Sequence, residues 1–274
     1  MTGDWDVILV MPYPYADHPS FPEAILKRSL EAAGFTVGVI ACPRWQNPAD
    51  FATLGRPRLF FAVVPGPVDS TVLNFTSLRK RRREDLYQAG GNAFFTDAPA
   101  GISAKIRPDR TVMVFANRLR QAFPRVPLLI GGLEASQRMF AHYDFQEEGL
   151  RRGILFDSRA DLLVFGPGEK QVVEIARRVK AGQPLGEIVL PGTARIVKEP
   201  PPEEEYPRLP PGEEVMADPP RLLEAQLILE RAILAGKGAV QRQVDRYLVR
   251  EPGMPYEATD LDRLYALPFT RTHP

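Results

Sequence analysis

Between residues 127 and 169 two short apolar runs stop abruptly at glycine, each with a glutamate close behind. They read Leu128-Leu129-Ile130-Gly131-Gly132-Leu133-Glu134 and Leu162-Leu163-Val164-Phe165-Gly166-Pro167-Gly168-Glu169. Runs this short, with no polar alternation, predict strands buried on both faces, as in a parallel sheet. Glycine directly behind such a strand lets backbone come close to a ligand or a packed helix. In an open α/β sheet, ligands sit in the loops behind the strand carboxyl ends. Gly131, Gly132, Glu134, Ser136, Gly166, Gly168 and Glu169 are therefore candidate ligand or interface residues. Between the two runs, His142, Tyr143 and Asp144 place donor, ring and acceptor in one turn, which suits substrate contact, docking, or a polar network that fixes a loop.

The same logic extends along the chain. Further strands are expected over 6–11, 36–41 and 59–64, with the two runs above supplying the fourth (128–130) and fifth (162–165). Helices are expected over 21–33, capped by Ser20 with Glu23 three residues on, behind Asp109, and over 170–181. Val112, Phe115, Leu119 and Phe123 carry the apolar spacing of the middle one. Strand and helix in alternation predict an α/β fold: a doubly wound, mostly parallel five-stranded sheet of Rossmann-like type over 1–198. Residues 188–197 could add a short antiparallel edge. The 68–108 stretch breaks the rhythm; a loop of that length is functional or mobile. Residues 199–220 are rich in proline and glutamate and read as an extended, poorly packed linker. Residues 221–274 begin with an amphipathic helix bearing Leu222, Leu223, Leu227 and Ile228. They then run out through Tyr247, Leu261, Leu264 and Tyr265, scattered anchors that should pack against something.

Several function classes recede on charge and motif grounds. With 35 basic against 34 acidic residues, no global field draws the chain to nucleic acid or membrane. The basic run 79–83 is followed by Glu84 and Asp85 and reads as a solvated or internally paired face. No apolar stretch approaches bilayer-spanning length, and the acidic start (Asp4, Asp6) is unlike a signal peptide, so a cytoplasmic protein is expected. Cys42 is the single cysteine, which excludes an internal disulfide and a multi-cysteine metal site. Gly166-Pro167-Gly168-Glu169 lacks the Lys-Ser/Thr of a P-loop and the third glycine of a dinucleotide fingerprint. Asp17 and His18 follow the first strand; His18 reads either as a metal or corrin ligand or as a loop residue positioning the helix start. Glu134 and Glu169 read either as an acid–base pair or as partners of helix-start amides and of Arg138.

Taken together, ordered short motifs resemble the N-terminal part of the YgiQ-type radical-SAM family. The first are Tyr15-Ala16-Asp17-His18-Pro19-Ser20-Phe21, Leu30-Glu31-Ala32-Ala33-Gly34-Phe35 and 50–56. Then come Arg107-Pro108-Asp109-Arg110, 131–136, 141–144, 157–161 and 166–169. The tail adds Asp245-Arg246-Tyr247 and Leu264-Tyr265-Ala266-Leu267-Pro268-Phe269. The likeness spans nearly the whole chain, apart from the linker and part of 68–108. It implies a cobalamin-binding-like domain, a linker, and a lead-in to a radical-SAM barrel. That barrel holds a [4Fe-4S] cluster on a C-x3-C-x2-C run and cleaves S-adenosylmethionine. These 274 residues stop ahead of any such run, so no catalytic and no metal-binding residue is expected among them, and the barrel becomes the implied partner, in cis or in trans. Two departures stand out. Pro67-Val68-Asp69-Ser70-Thr71 replaces the family's Asn-Met-Asp-Ser-Met, and the D-x-H-x-x-G cobalamin signature is absent, which disfavours a cobalamin carrier. The competing reading is a stand-alone α/β module that binds a small molecule or a partner without catalysis.

Overall fold

Valine-, isoleucine- and leucine-rich runs set the first half. The computed structural model describes residues 4–97 and 105–271. Residues 1–3 of the acidic start, 98–104 of the irregular stretch and 272–274 of the tail lie outside them. The chain opens with β1 (Val7–Met11), α1 (Pro22–Ala32), β2 (Val37–Ala41) and, behind a 3-10 turn at Pro48–Ala52, β3 (Phe60–Val63). Next come α2 (Ser70–Asn74), α3 (Thr111–Ala122), β4 (Leu128–Ile130) and α4 (Gly132–Gln137). A small hairpin of β5 (His142–Asp144) and β6 (Gly149–Arg151) precedes α5 (Ile154–Ser158), β7 (Leu162–Val164) and α6 (Glu169–Lys180). The last third holds β8 (Thr193–Val197), β9 (Arg208–Leu209), α7 (Gly212–Ala217) and α8 (Pro220–Leu234). It closes with β10 (Ala239–Gln243), β11 (Arg246–Arg250) and α9 (Ala258–Tyr265).

The five expected strands are adjacent and parallel, in the order β2-β1-β3-β4-β7. This is the doubly wound order in which the chain reverses direction at β1 and β3, opening a crevice at their carboxyl ends. Alternate residues of β1 enter different cores. Ile8 and Val10 pack with Phe115 and Leu119 of α3, whereas Val7, Leu9 and Met11 pack on the other side with Leu30 and Ile175. Burial on both faces explains why these strands read as unbroken apolar runs.

The sheet has nine strands, not five. β8 does pair antiparallel with β7, but it is no edge: β11 pairs on its other side, followed by β10 and β9. The 199–220 stretch, expected as a loose linker, contributes β9 and α7 and buries Leu209 and Val215 in the main core. Local propensity misjudged it because tertiary pairing with β10 supplies the order.

Caps also moved. Proline at the first turn starts α1 without any side-chain cap, and the Ser20 amide instead donates to His18 Nδ1 at 3.2 Å. His18 thus helps shape the entry to α1. Asp109 does not cap α3; its carboxylate accepts from Arg81 and Asn74. On α8, Leu222 and Ile228 pack toward the core, but Leu223 is 64% exposed, so the leucines fall on both sides of the helix.

Candidate functional site

The carboxyl edge of the parallel strands collects nearly every candidate residue, and the structure gives most of the polar ones a partner within the chain. The Gly166–Gly168 turn leads into α6, whose first amides point outward as at any helix start. One is already occupied. The Lys170 amide donates to the Tyr256 hydroxyl at 3.1 Å, and that hydroxyl donates to Glu169 Oε2 at 2.9 Å. Burial first, and the Glu169 charge next, push the Tyr256 phenol up, so it stays a neutral donor. Lys170 Nζ reinforces the contact with bonds to Asp260 (2.7 Å) and the Pro255 carbonyl (3.1 Å). Residues 255–260 of the same chain therefore occupy the α6 start at Glu169 and Lys170, directly behind the glycine turn.

Asp17 behaves alike. Arg28 donates to both of its oxygens, Nε at 3.0 Å and the terminal nitrogen at 2.5 Å, and Tyr15 adds a hydroxyl at 3.1 Å. The Thr270 amide donates to Asp17 Oδ2 at 3.0 Å, and the Arg271 amide to the Asp17 carbonyl at 2.9 Å. The Arg28 bonds hold the Asp17 carboxyl well below the usual carboxylate range. Asp17 is thus an anchor for the tail.

Glu134 is buried and bridges helix starts. Its two oxygens accept from the amides of Val112 (2.8 Å) and Ser70 (3.3 Å), at the heads of α3 and α2. An ion pair between Arg138 and Asp69 lies alongside. Burial pushes the Glu134 carboxyl up. Glu134 and Glu169 share no partner, and the amide-binding role holds for Glu134 at helices other than its own. Gly132 has φ +79°, and a Cβ there would lie 2.9 Å from Pro65. At Gly131 a Cβ would come within 3.1 Å of the Val164 carbonyl, so these glycines serve close packing of β4 against its neighbours. Beneath them an apolar cavity of about 180 Å³ lies between the strand ends and α1 and α6, lined by Ile25, Leu26, Val164 and Val172.

The 142–144 triplet splits. Asp144 is buried and accepts from Arg110 (2.9 Å) and from the amides of Gln146 and Glu147, which fixes the hairpin turn. Tyr143 is 53% exposed. His142, its Nδ1 against the Phe140 carbonyl at 3.1 Å, is held below its ordinary value by burial. Both line a groove of about 850 Å³ between the hairpin and α8, shared with Ser136, Gly166, Phe165 and Arg250. Ser136 itself donates to the Gly132 carbonyl at 2.8 Å. Within the basic run Arg79 pairs with Glu148 and Arg81 with Asp109, Arg82 donates to the Val72 and Phe75 carbonyls, and Lys80 and Arg83 are exposed.

Sequence reasoning also missed the buried pair of Tyr13 and Glu23. Tyr13 donates to Glu23 Oε2 at 2.5 Å, while Glu23 Oε1 has no partner. Burial pushes the Glu23 carboxyl up to about 7. Its folded value lies above its unfolded one, so the folded state holds the extra proton and stability falls as pH rises from the ordinary carboxylate range toward 7. Urea titrations should show a loss approaching 1 kcal/mol per pH unit between about pH 5 and 7. Glu23→Gln should flatten that slope, and an equal slope in the variant would assign it elsewhere.

Among the described residues no three His, Cys, Asp or Glu side chains converge on a metal position. Cys42, whose thiol burial pushes up to about 11, offers no thiolate near neutral pH. A [4Fe-4S] cluster does not fit this donor set.

The Radical SAM N-terminal family model matches residues 2–274. The UPF0313 protein of Geobacter sulfurreducens is 43% identical over 275 residues, covering 98% of this chain and 44% of that protein. The UPF0313 protein of Clostridium botulinum strain 657 is 41% identical over 272 residues, covering 98% and 41%. That of Methanosarcina acetivorans is 40% identical over 299 residues, covering 98% and 39%. The chain spans about two fifths of the length of these relatives.

Proposed function

We propose, for a chain that belongs to the Radical SAM N-terminal family, a role without cluster chemistry of its own. It is the front domain of a YgiQ-like radical-SAM protein, capping the barrel and shaping access of a small-molecule substrate. One observation carries this reading: Asp17 and Glu169, two carboxylates on the ligand-binding edge of the sheet, both hold the 252–271 segment. An α/β domain built to take a free ligand there would leave that edge open. This one uses it to seat the lead-in. The 142–143 and 166 side of the edge stays accessible through the groove against α8, and that is where the domain would border a substrate path.

In the complete protein, a [4Fe-4S] cluster on barrel cysteines would supply the electron that cleaves S-adenosylmethionine. The residues described above neither bind the cluster nor move a proton in that step. They position the chain that leads to it. A cytoplasmic location belongs to the same reading.

The test is to express the reading frame onward past codon 274, reconstitute it anaerobically with iron and sulfide, and assay 5′-deoxyadenosine formation from S-adenosylmethionine. Product from the long chain and none from the 274-residue chain is expected. A frame that encodes no cysteine run, or a long chain that assembles a cluster and never cleaves S-adenosylmethionine, would refute the reading.

A further inference from the structure

α9 carries one apolar stripe, Leu261, Leu264 and Tyr265, spaced three and four residues apart, and only part of it meets the rest of the molecule. On its inner side Leu264, with Leu267 just beyond the helix, lines a crevice against Ala32 of α1, Val173 of α6 and Met254. Polar ties hold it at both ends: Asp260 to Lys170, and Thr270 and Arg271 to Asp17. A capping box formed by Glu257 and Asp260 fixes its first turn. On the solvent-facing edge of the same stripe Leu261 and Tyr265, four residues apart, are 47% and 54% exposed. No residue of α9 is buried, so this edge of the stripe stands open to solvent.

The size of that face selects its occupant. Eight helical residues span about 12 Å. A free partner or a second copy needs on the order of 800 Å² per side to hold a stable interface. A domain tethered a few residues away faces α9 at an effective concentration in roughly the millimolar range, where a small apolar contact suffices. The relatives are more than twice as long as this chain, and the last described residue sits directly beside α9 and α1, bonded to Asp17.

We propose that the outer face of α9 is the seat of the radical-SAM barrel of the same protein. Leu261 and Tyr265 make the apolar contact, and Asp17 fixes the direction from which the chain approaches the barrel. The inference rests on the function proposed above and adds to it where the barrel sits. It predicts that α9 is the hinge-side contact between the two parts, and that the groove beside α8 remains free for the substrate path.

Hydroxyl-radical footprinting of the 274-residue chain and of the chain extended through its reading frame tests this on unaltered protein. Modification of Leu261 and Tyr265 should fall severalfold in the long chain, because both half-exposed side chains would lose solvent in a packed interface core. Leu223 and Leu227 of α8 should react equally in both chains. Equal reactivity of Tyr265 in a long chain that carries the barrel overturns the seat while leaving the proposed function intact. Protection of Leu223 and Leu227 instead moves the barrel to α8 and also overturns it. Protection of Tyr265 already in the short chain, growing with concentration, identifies a second copy as the occupant. A frame without a barrel removes both readings together.

Discussion

Arg107→Ala is expected to lower the unfolding free energy by about 3–5 kcal/mol, the range found when one partner of a buried ion pair is removed. Arg107 is 1% exposed, within the stretch that showed no apolar period in sequence. Its Nε donates to Asp85 Oδ2 at 2.8 Å and a terminal nitrogen donates to the Pro65 carbonyl at 3.1 Å. Its guanidinium also lies 5.4 Å from the centre of the Tyr13 ring. Alanine leaves the Asp85 carboxylate buried with its cation gone and the Pro65 carbonyl without that donor, and both costs fall on the folded state. Asp85→Asn should cost less, because a neutral amide can still accept from Arg107, though it leaves the cation buried without its counter-charge. The double variant Arg107→Leu, Asp85→Leu should recover much of the loss, since apolar groups of similar size need no partner. Urea unfolding of the unaltered protein, Arg107→Leu, Asp85→Leu and the double variant closes a double-mutant cycle. A single-variant loss below about 1 kcal/mol would show that water reaches the pair and that the 68–108 segment is held by something else.

That pair also shows where sequence patterns stop being informative. Strands β1, β3, β4 and β7 were legible because both faces are covered, so composition alone marks them. Strands β10 and β11 were not, because they carry Gln241, Arg242, Gln243 and Arg250. Gln241 and Gln243 are buried all the same. Their side-chain oxygens accept from the amides of Ala141 and Gly153, 100 and 90 positions away, each at 2.8 Å. A polar residue satisfied by so distant a backbone group gives no local sign of burial. The candidate site divides along the same line. The loops behind the strands could be located from the glycines, yet the partners of Asp17 and Glu169 lie 253 and 87 positions along the chain. Asp109 and Ser20 failed as caps for the converse reason. Each has the right local spacing, but Glu134 reaches the α3 amide first, and proline starts α1 unaided.

Asp17→Ala is expected to open the tail while the sheet stays folded. The carboxylate accepts from Arg28 twice, from Tyr15 and from the Thr270 amide, in a nearly buried setting where a charge-assisted bond contributes about 1.5–3 kcal/mol. Losing that anchor should weaken local closure of the tail by about 3 kcal/mol, or roughly a hundredfold in the amide exchange rate of residues 269–271. Exchange within α9 should rise less, because Lys170 with Asp260 and Tyr256 with Glu169 still clamp its beginning. Tyr256→Phe inverts the pattern: it frees the start of the segment and leaves Thr270 protected. The pH dependence has a definite sign. Arg28 holds the Asp17 carboxyl below its ordinary value of 3.8, so its contribution is complete above that value and is lost only as pH falls through the lower folded one. Between about pH 4 and 8 the native latch should therefore be insensitive to pH. Unchanged exchange at 269–271 in Asp17→Ala would mean that the Arg271 bond to the Asp17 backbone carbonyl, with packing of Leu264 and Leu267, holds the tail without the carboxylate. Asp17 would then lose its role as the tail's anchor, whereas a hundredfold rise makes that one carboxylate the latch of the 269–271 segment.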